Sequence, residues 1–209
     1  MVPFAVFIAL RWLPFSPECL ALIRFAAVAA ALAVFSRRAI PRRLISPAGS
    51  ILLGAAVLAI WIGPDLAFGS GYRESPLFHN AMTGAARSSL PAYLQSSPLF
   101  LVVRVLESAI LVPIFEELFW RGWLMRYAIR SDFTSVPVGK YTALSFWAVA
   151  MLFAAEHGPY WEVGLAAGVA YNWWVVRTRN LADCMLAHAV TNALLAGYVL
   201  LFHQWQYWL

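Results

Sequence analysis

Long apolar runs, separated by short polar or basic stretches, organise this chain. A helix that crosses a bilayer needs about 20 mostly apolar residues, with a range of roughly 17–25. Cys19–Phe35, Ala48–Phe68, Pro98–Phe115, Tyr141–His157, Tyr160–Val176 and Leu181–Phe202 meet or approach that length. Val2–Leu13 is apolar but short, and Glu116–Ile129 continues the run before it as a helix bearing charges. The pattern predicts an all-α, polytopic transmembrane helix bundle with six to seven spans, in one domain over residues 1–209. The stretch Gly69–Ser97 is different. It carries Tyr72, Arg73, Glu74, His79, Asn80, Arg87, Ser88 and Ser89, and reads as an extramembrane loop with a short surface helix.

Composition agrees with that pattern. The chain has 209 residues, 62% hydrophobic and only 12% charged, with a mean hydropathy of +0.71. A soluble domain is about half apolar and a quarter charged. Ten Trp, eight Tyr and fourteen Phe suit rings at two lipid–water interfaces. The net charge of +5 does not point to nucleic acid, because the basic residues sit between the apolar runs. Arg37, Arg38, Arg42 and Arg43 form one cluster. Arg121, Arg126, Arg130 and Lys140 form a second, and Arg177 with Arg179 a third. Alternating crossings place all three on one side, read as cytoplasmic. The start, Met1 to Leu13, has no basic leader and no small-residue cleavage site before Arg11, so no cleavable signal peptide is expected. Cys19 and Cys184 fit neither a disulfide framework nor a metal pattern. No internal repeat or paired broken helices suggest a transporter.

Ionisable groups inside apolar runs are costly, by about 2.5–3.5 kcal/mol for Asp, Lys or Arg at mid-helix on insertion scales. Three places hold polar groups of interest. In Glu116-Glu117-Leu118-Phe119-Trp120-Arg121, Glu117 and Arg121 share a helical face and can pair. Glu116 points about 100° away and is left for proton transfer; the alternative is a solvated charge cluster at the membrane edge. In Phe153-Ala154-Ala155-Glu156-His157, the His ends an apolar helix that Gly158-Pro159 breaks. It can orient a water, act as a base or bind a metal, or simply sit at the interface. Glu156 lies on another face and receives no role. In His188-Ala189-Val190-Thr191-Asn192, the two polar side chains share a face. They can stabilise a developing oxyanion or act as glue between helices.

Other polar residues carry weaker expectations. Arg104 and Glu107 are three apart and are expected to pair. Asp65 is expected at an interface, and Asn172 as helix glue. Asp183 is expected to favour the dipole at the start of its own helix.

The ordered set Glu-Glu-x-x-x-Arg, Phe-x-x-x-His and His-x-x-x-Asn, on successive apolar helices, resembles the CPBP family. These are the CAAX prenyl endopeptidases and bacteriocin-processing enzymes, also called Abi or Rce1-like intramembrane proteases. The resemblance covers about residues 98–205, and the short start at Pro3–Leu13 is similar to the exosortase-associated, CAAX-protease-related subgroup. It implies an intramembrane active-site cavity in a bacterial inner-membrane protein. There Glu116 is the general base and His157 its partner in holding water. His188 and Asn192 bind the oxyanion, and Glu117 and Arg121 support them. The implied partners are membrane lipid and a hydrophobic or lipidated peptide substrate. No cofactor is needed in this glutamate mechanism. A metalloprotease variant would place Zn²⁺ on Glu116, His157 and His188, although Asn is a poor Zn²⁺ ligand and the His-Glu-x-x-His pattern is missing. The competing class is a non-catalytic membrane scaffold or immunity partner, in which the same residues hold helices together. One difficulty stands: charge alternation puts Glu116 near the basic side and His157 near the far end of the next helix.

Overall fold

The computed structural model describes residues 1–10, 12–88 and 90–208, with residue 70 as backbone only. The readings placed on Arg11 and Ser89 lie outside the described residues. Among the described residues there is no strand. Seven helices carry the fold: α1 (Val2–Leu10), α2 (Pro17–Ser36), α3 (Pro47–Phe68), α4 (Pro98–Tyr127), α5 (Ala143–Ala155), α6 (Trp161–Thr178) and α7 (Leu181–Phe202). Four of the expected crossings, α2, α3, α4 and α7, are long and apolar enough to span a membrane. The chain is an integral membrane protein. Helix α5 is apolar but shorter, and α1 is shorter still. In lipid, a helix is the solution that satisfies every backbone group within one segment.

Prolines and polar caps set the helix starts. Pro17, Pro47 and Pro98 occupy the first turns of α2, α3 and α4, where a missing N–H costs nothing. Thr142 caps α5 through Ser145 N, and Asn180 caps α7 through Ala182 N. Within α4, two wide π-turns at Glu107–Leu111 and Trp120–Leu124 flank the segment Val112–Phe119. Pro113 explains the first, because it cannot donate to the carbonyl one turn back. Such insertions often accompany functional sites.

Close helix approach depends on small residues. At Gly54 on α3, an added Cβ would lie 2.5 Å from the Ala187 carbonyl oxygen of α7. The Thr191 hydroxyl of α7 donates to the Gly54 carbonyl at 2.9 Å. Gly168 on α6 does the same against Ala150 of α5, with 3.2 Å to its Cα. Packing of this kind replaces the hydrophobic drive that lipid removes.

The basic loops meet at one end of the bundle. Asn180, between α6 and α7, donates to the Arg43 carbonyl at 2.8 Å. Gly139, before α5, lies against Val175 and Arg179. Asp183 does more than the expected dipole contact. Its carboxylate accepts the Ile45 and Ser46 amides at 3.0 and 3.1 Å, so α7 caps the start of α3. Arg121, counted with the second basic cluster, is instead buried within the bundle.

The segment Gly69–Ser97 forms the other end, and it is docked rather than loose. Arg73 is only 2% exposed. It pairs with Asp65 at 2.8 Å and Glu162 at 2.7 Å and donates to the Pro159 carbonyl. The chain after α7 folds back onto the same end: Tyr207 donates to Asp65, and Ser88 donates to the Trp208 carbonyl. Burial and the hydrogen bond to Glu162 raise the Tyr72 phenol well above its usual range.

Candidate active site

One helix presents two adjacent carboxylates to different surroundings. Glu117 faces the packed interior and is fully buried. It accepts from Arg121 Nη1 at 2.9 Å, one turn later on α4, as its spacing predicts. Arg121 also donates to Asn172 Oδ1 at 2.8 Å and to the Gly168 carbonyl at 3.2 Å. Its guanidinium lies 4.6 Å from the Phe153 ring centroid. Asn172 in turn donates to the Phe146 carbonyl at 2.7 Å, which makes it the helix glue expected. A buried cation is tolerable only with this degree of satisfaction.

Glu117 has two further partners that spacing could not reveal. His188 Nδ1 lies 2.9 Å from Glu117 Oε1, and Cys184 donates its thiol to Oε2 at 3.1 Å. A carboxylate paired with arginine only accepts, so Nδ1 of His188 carries the proton. The ring stacks on Tyr171, with centroids 5.0 Å apart. His188 is therefore held on two sides, and its Nε2 is the remaining polar atom.

Glu116 faces a cavity of about 180 Å³. His157, His188 and Asn192 line the same cavity, with Phe153 and Tyr171 among its apolar walls. His157 Nδ1 lies 2.7 Å from the Phe153 carbonyl oxygen. Only an N–H can face a carbonyl at that distance, so Nδ1 is the donor and Nε2 keeps its lone pair. The Trp61 ring meets the imidazole edge-on at 5.1 Å. Gly164 leaves the room: a Cβ there would come within 3.2 Å of the His157 ring. Asn192 donates one amide N–H to the Ser108 carbonyl at 2.8 Å and keeps a second N–H and its carbonyl oxygen.

The apparent depth conflict between Glu116 and His157 disappears on counting from the basic end. Eleven residues separate Glu116 from Tyr127 at the foot of α4, about 16 Å of rise. Fourteen separate His157 from Ala143 at the foot of α5, about 21 Å. His188 and Asn192 stand seven and eleven residues above Leu181, about 10 and 16 Å. The short α5 ends at Ala155, and His157, two residues beyond, lines the same cavity as Glu116.

Two expectations are corrected. Glu107 does not pair with Arg104. Its carboxylate takes both Nε and Nη2 of Arg24 on α2, each at 2.6 Å, and Arg104 lines the cavity instead. Glu156, given no role from its position, interacts directly with the Glu116 carboxyl. The end of α5 at Ala155 frees the next residues from helical facing, which is why spacing missed it.

The zinc alternative requires Glu116, His157 and His188 around one ion. Among the described residues, no three His, Cys, Asp or Glu side chains converge closely enough to hold a metal ion. The donor set as arranged does not fit a zinc centre.

A polytopic helical membrane protein with a cluster of Glu, His and Asn around an internal cavity is the class that fold and site define. Residues 97–194 match the family model described as type II CAAX prenyl endopeptidase Rce1-like. The matched segment holds every residue of the three motifs, and the resemblance to the CPBP, Rce1-like family is shown over it. No curated protein and no solved structure matches the chain.

Proposed function

We propose that the protein is an intramembrane endopeptidase that hydrolyses a peptide bond near the end of a hydrophobic or lipidated substrate. The observation that carries this reading is the shared cavity: side chains from α4, the end of α5 and α7 converge on it. Family similarity over residues 97–194 supports the same activity. The six or seven crossings, the single domain and an inner-membrane location belong to this proposal.

In the mechanism, a water sits between Glu116 and Nε2 of His157. Glu116 takes its proton as the oxygen attacks the scissile carbonyl. His157, with Nδ1 fixed on the Phe153 carbonyl, presents only an acceptor at Nε2, which orients one water hydrogen. The carbonyl oxygen becomes negative and needs donors. Asn192 offers its second amide N–H. His188, with Nδ1 held by the Glu117 carboxylate at 2.9 Å, donates from Nε2 when both ring nitrogens carry protons. Glu116 then returns the proton to the departing amine. The adjacent carboxylates thus separate the work: Glu116 handles the proton, and Glu117 holds the oxyanion donor.

The test uses purified protein in liposomes and a fluorogenic peptide with a farnesyl-cysteine near its C-terminus. Cleavage should be lost in Glu116→Gln and His157→Ala and should survive a zinc chelator. Full retention in both variants contradicts the mechanism. Loss in chelator, restored by zinc, replaces it with the metalloprotease variant.

A further inference from the structure

We propose that the loop between α2 and α3 binds an anionic glycerophospholipid, holding its headgroup phosphate between Arg37, Arg38 and Arg42. Such a site is separate from the cavity of Glu116 and stands whether or not the chain cleaves peptides.

Arg37, Arg38, Arg42 and Arg43 are all exposed. None of their side chains has a hydrogen bond, ion pair or ring contact among the described residues. Other arginines of the bundle differ: Arg24 and Arg121 have carboxylates, and Arg126 donates to three backbone carbonyls. Asp183, the carboxylate that reaches this loop, is taken up by the Ile45 and Ser46 amides. The cations therefore repel one another, and an anion between them relieves the repulsion. Arg37, Arg38 and Arg42, with Ile40, line a cleft of about 530 Å³. Guanidinium groups take phosphate oxygens in forked pairs.

The cleft is built on fixed backbone. The Ala39 and Ile40 amides donate to the Ser36 carbonyl at 2.8 and 3.2 Å, and Ile40 packs against the core around Leu32. Asn180 holds the Arg43 carbonyl at 2.8 Å. A site ordered in advance loses less entropy on binding. The surroundings favour a lipid over a free phosphate. Arg37 directly follows the span α2. Val34 and Phe35, each 67% exposed, stand just inside that span, and Ile45, 63% exposed, lies just before α3. These apolar side chains give acyl chains a surface beside the cations. Basic clusters at the end of a span attract anionic lipids.

The experiment binds tritiated dioleoyl phosphatidylglycerol to the immobilised full chain in dodecylmaltoside. Unlabelled phosphatidylglycerol, phosphatidylcholine or inorganic phosphate competes at fixed ionic strength. Phosphatidylglycerol should compete at least about ten-fold better than phosphatidylcholine, since each basic residue near a headgroup gives about a five-fold gain. Arg38→Gln with Arg42→Gln should reduce that preference to within about two-fold. Arg38→Lys with Arg42→Lys, which keeps the charge, should retain part of it. Arg177→Gln with Arg179→Gln, at the same end of the bundle, should leave it intact. Equal competition by the two lipids, or a preference that survives Arg38→Gln with Arg42→Gln, overturns the inference. So does an equal loss in both double glutamine variants, which would mean a diffuse basic face. Inorganic phosphate should not displace the labelled lipid; full displacement would assign the cleft to the free ion and overturn the lipid.

Discussion

Replacing Glu117 by Gln separates a positioning role from a purely structural one. The carboxylate accepts from Arg121, His188 and Cys184 at 2.9, 2.9 and 3.1 Å, with no exposure to solvent. An amide of the same shape carries no charge and has one acceptor oxygen. Arg121 would remain buried with only Asn172 and the Gly168 carbonyl. Breaking a buried pair by removing one partner costs about 3–5 kcal/mol, mostly from the orphaned charge. Glu117→Gln should therefore lose about that much stability, read by reversible unfolding in mixed micelles. Adding Arg121→Met removes the orphaned cation and should restore most of the loss, as when hydrophobic residues replace a buried ion pair. Cleavage should stay at least 100-fold down in both proteins, because His188 has lost the group that orients it. A double variant as unstable as the single refutes the ion-pair account. Activity that returns with stability refutes the positioning of His188.

Other positions give independent checks. Gly164→Val should lower cleavage at least ten-fold with a smaller effect on stability, since its Cβ would already press on the His157 ring at 3.2 Å; unchanged kcat would count against His157. Asp183→Ala strands the Ile45 and Ser46 amides and should cost about 2–4 kcal/mol, with faster hydrogen exchange at the start of α3; no change in exchange would refute the capping role. Hydrogen bonds from Arg87 and His79 hold the Glu74 carboxyl below its usual pKa. A depressed folded pKa stabilises above the unfolded value, 4.5, and this contribution fades as pH falls through the folded one. Exchange protection across residues 74–87 should therefore drop on acidification below pH 4.5, and protection that rises instead would refute the pairing.

What could be read from the sequence was what one helix determines by itself. The Glu117–Arg121 pair follows from a four-residue spacing, and so does the divergence of Glu116 from its neighbour. The ordered motifs brought Glu116, His157, His188 and Asn192 to one reading, and all four line one cavity. Contacts between helices were not legible in this way. Glu107 chose Arg24, 83 residues away, over Arg104 three residues away, because α2 presents a guanidinium at the same depth. Asp183 serves the start of α3 as well as its own helix, since the loops at that end fold together. His188 and Cys184 meet Glu117 only once α4 and α7 pack. The depth of His157 depended on where α5 stops, and apolar length alone could not say that.

The most direct measurement of the central claim is cleavage in water enriched in oxygen-18, with mass spectrometry of the products. The account predicts one heavy oxygen in the new carboxyl terminus and loss of product formation in Glu116→Gln. Undiminished labelled product from Glu116→Gln would contradict it.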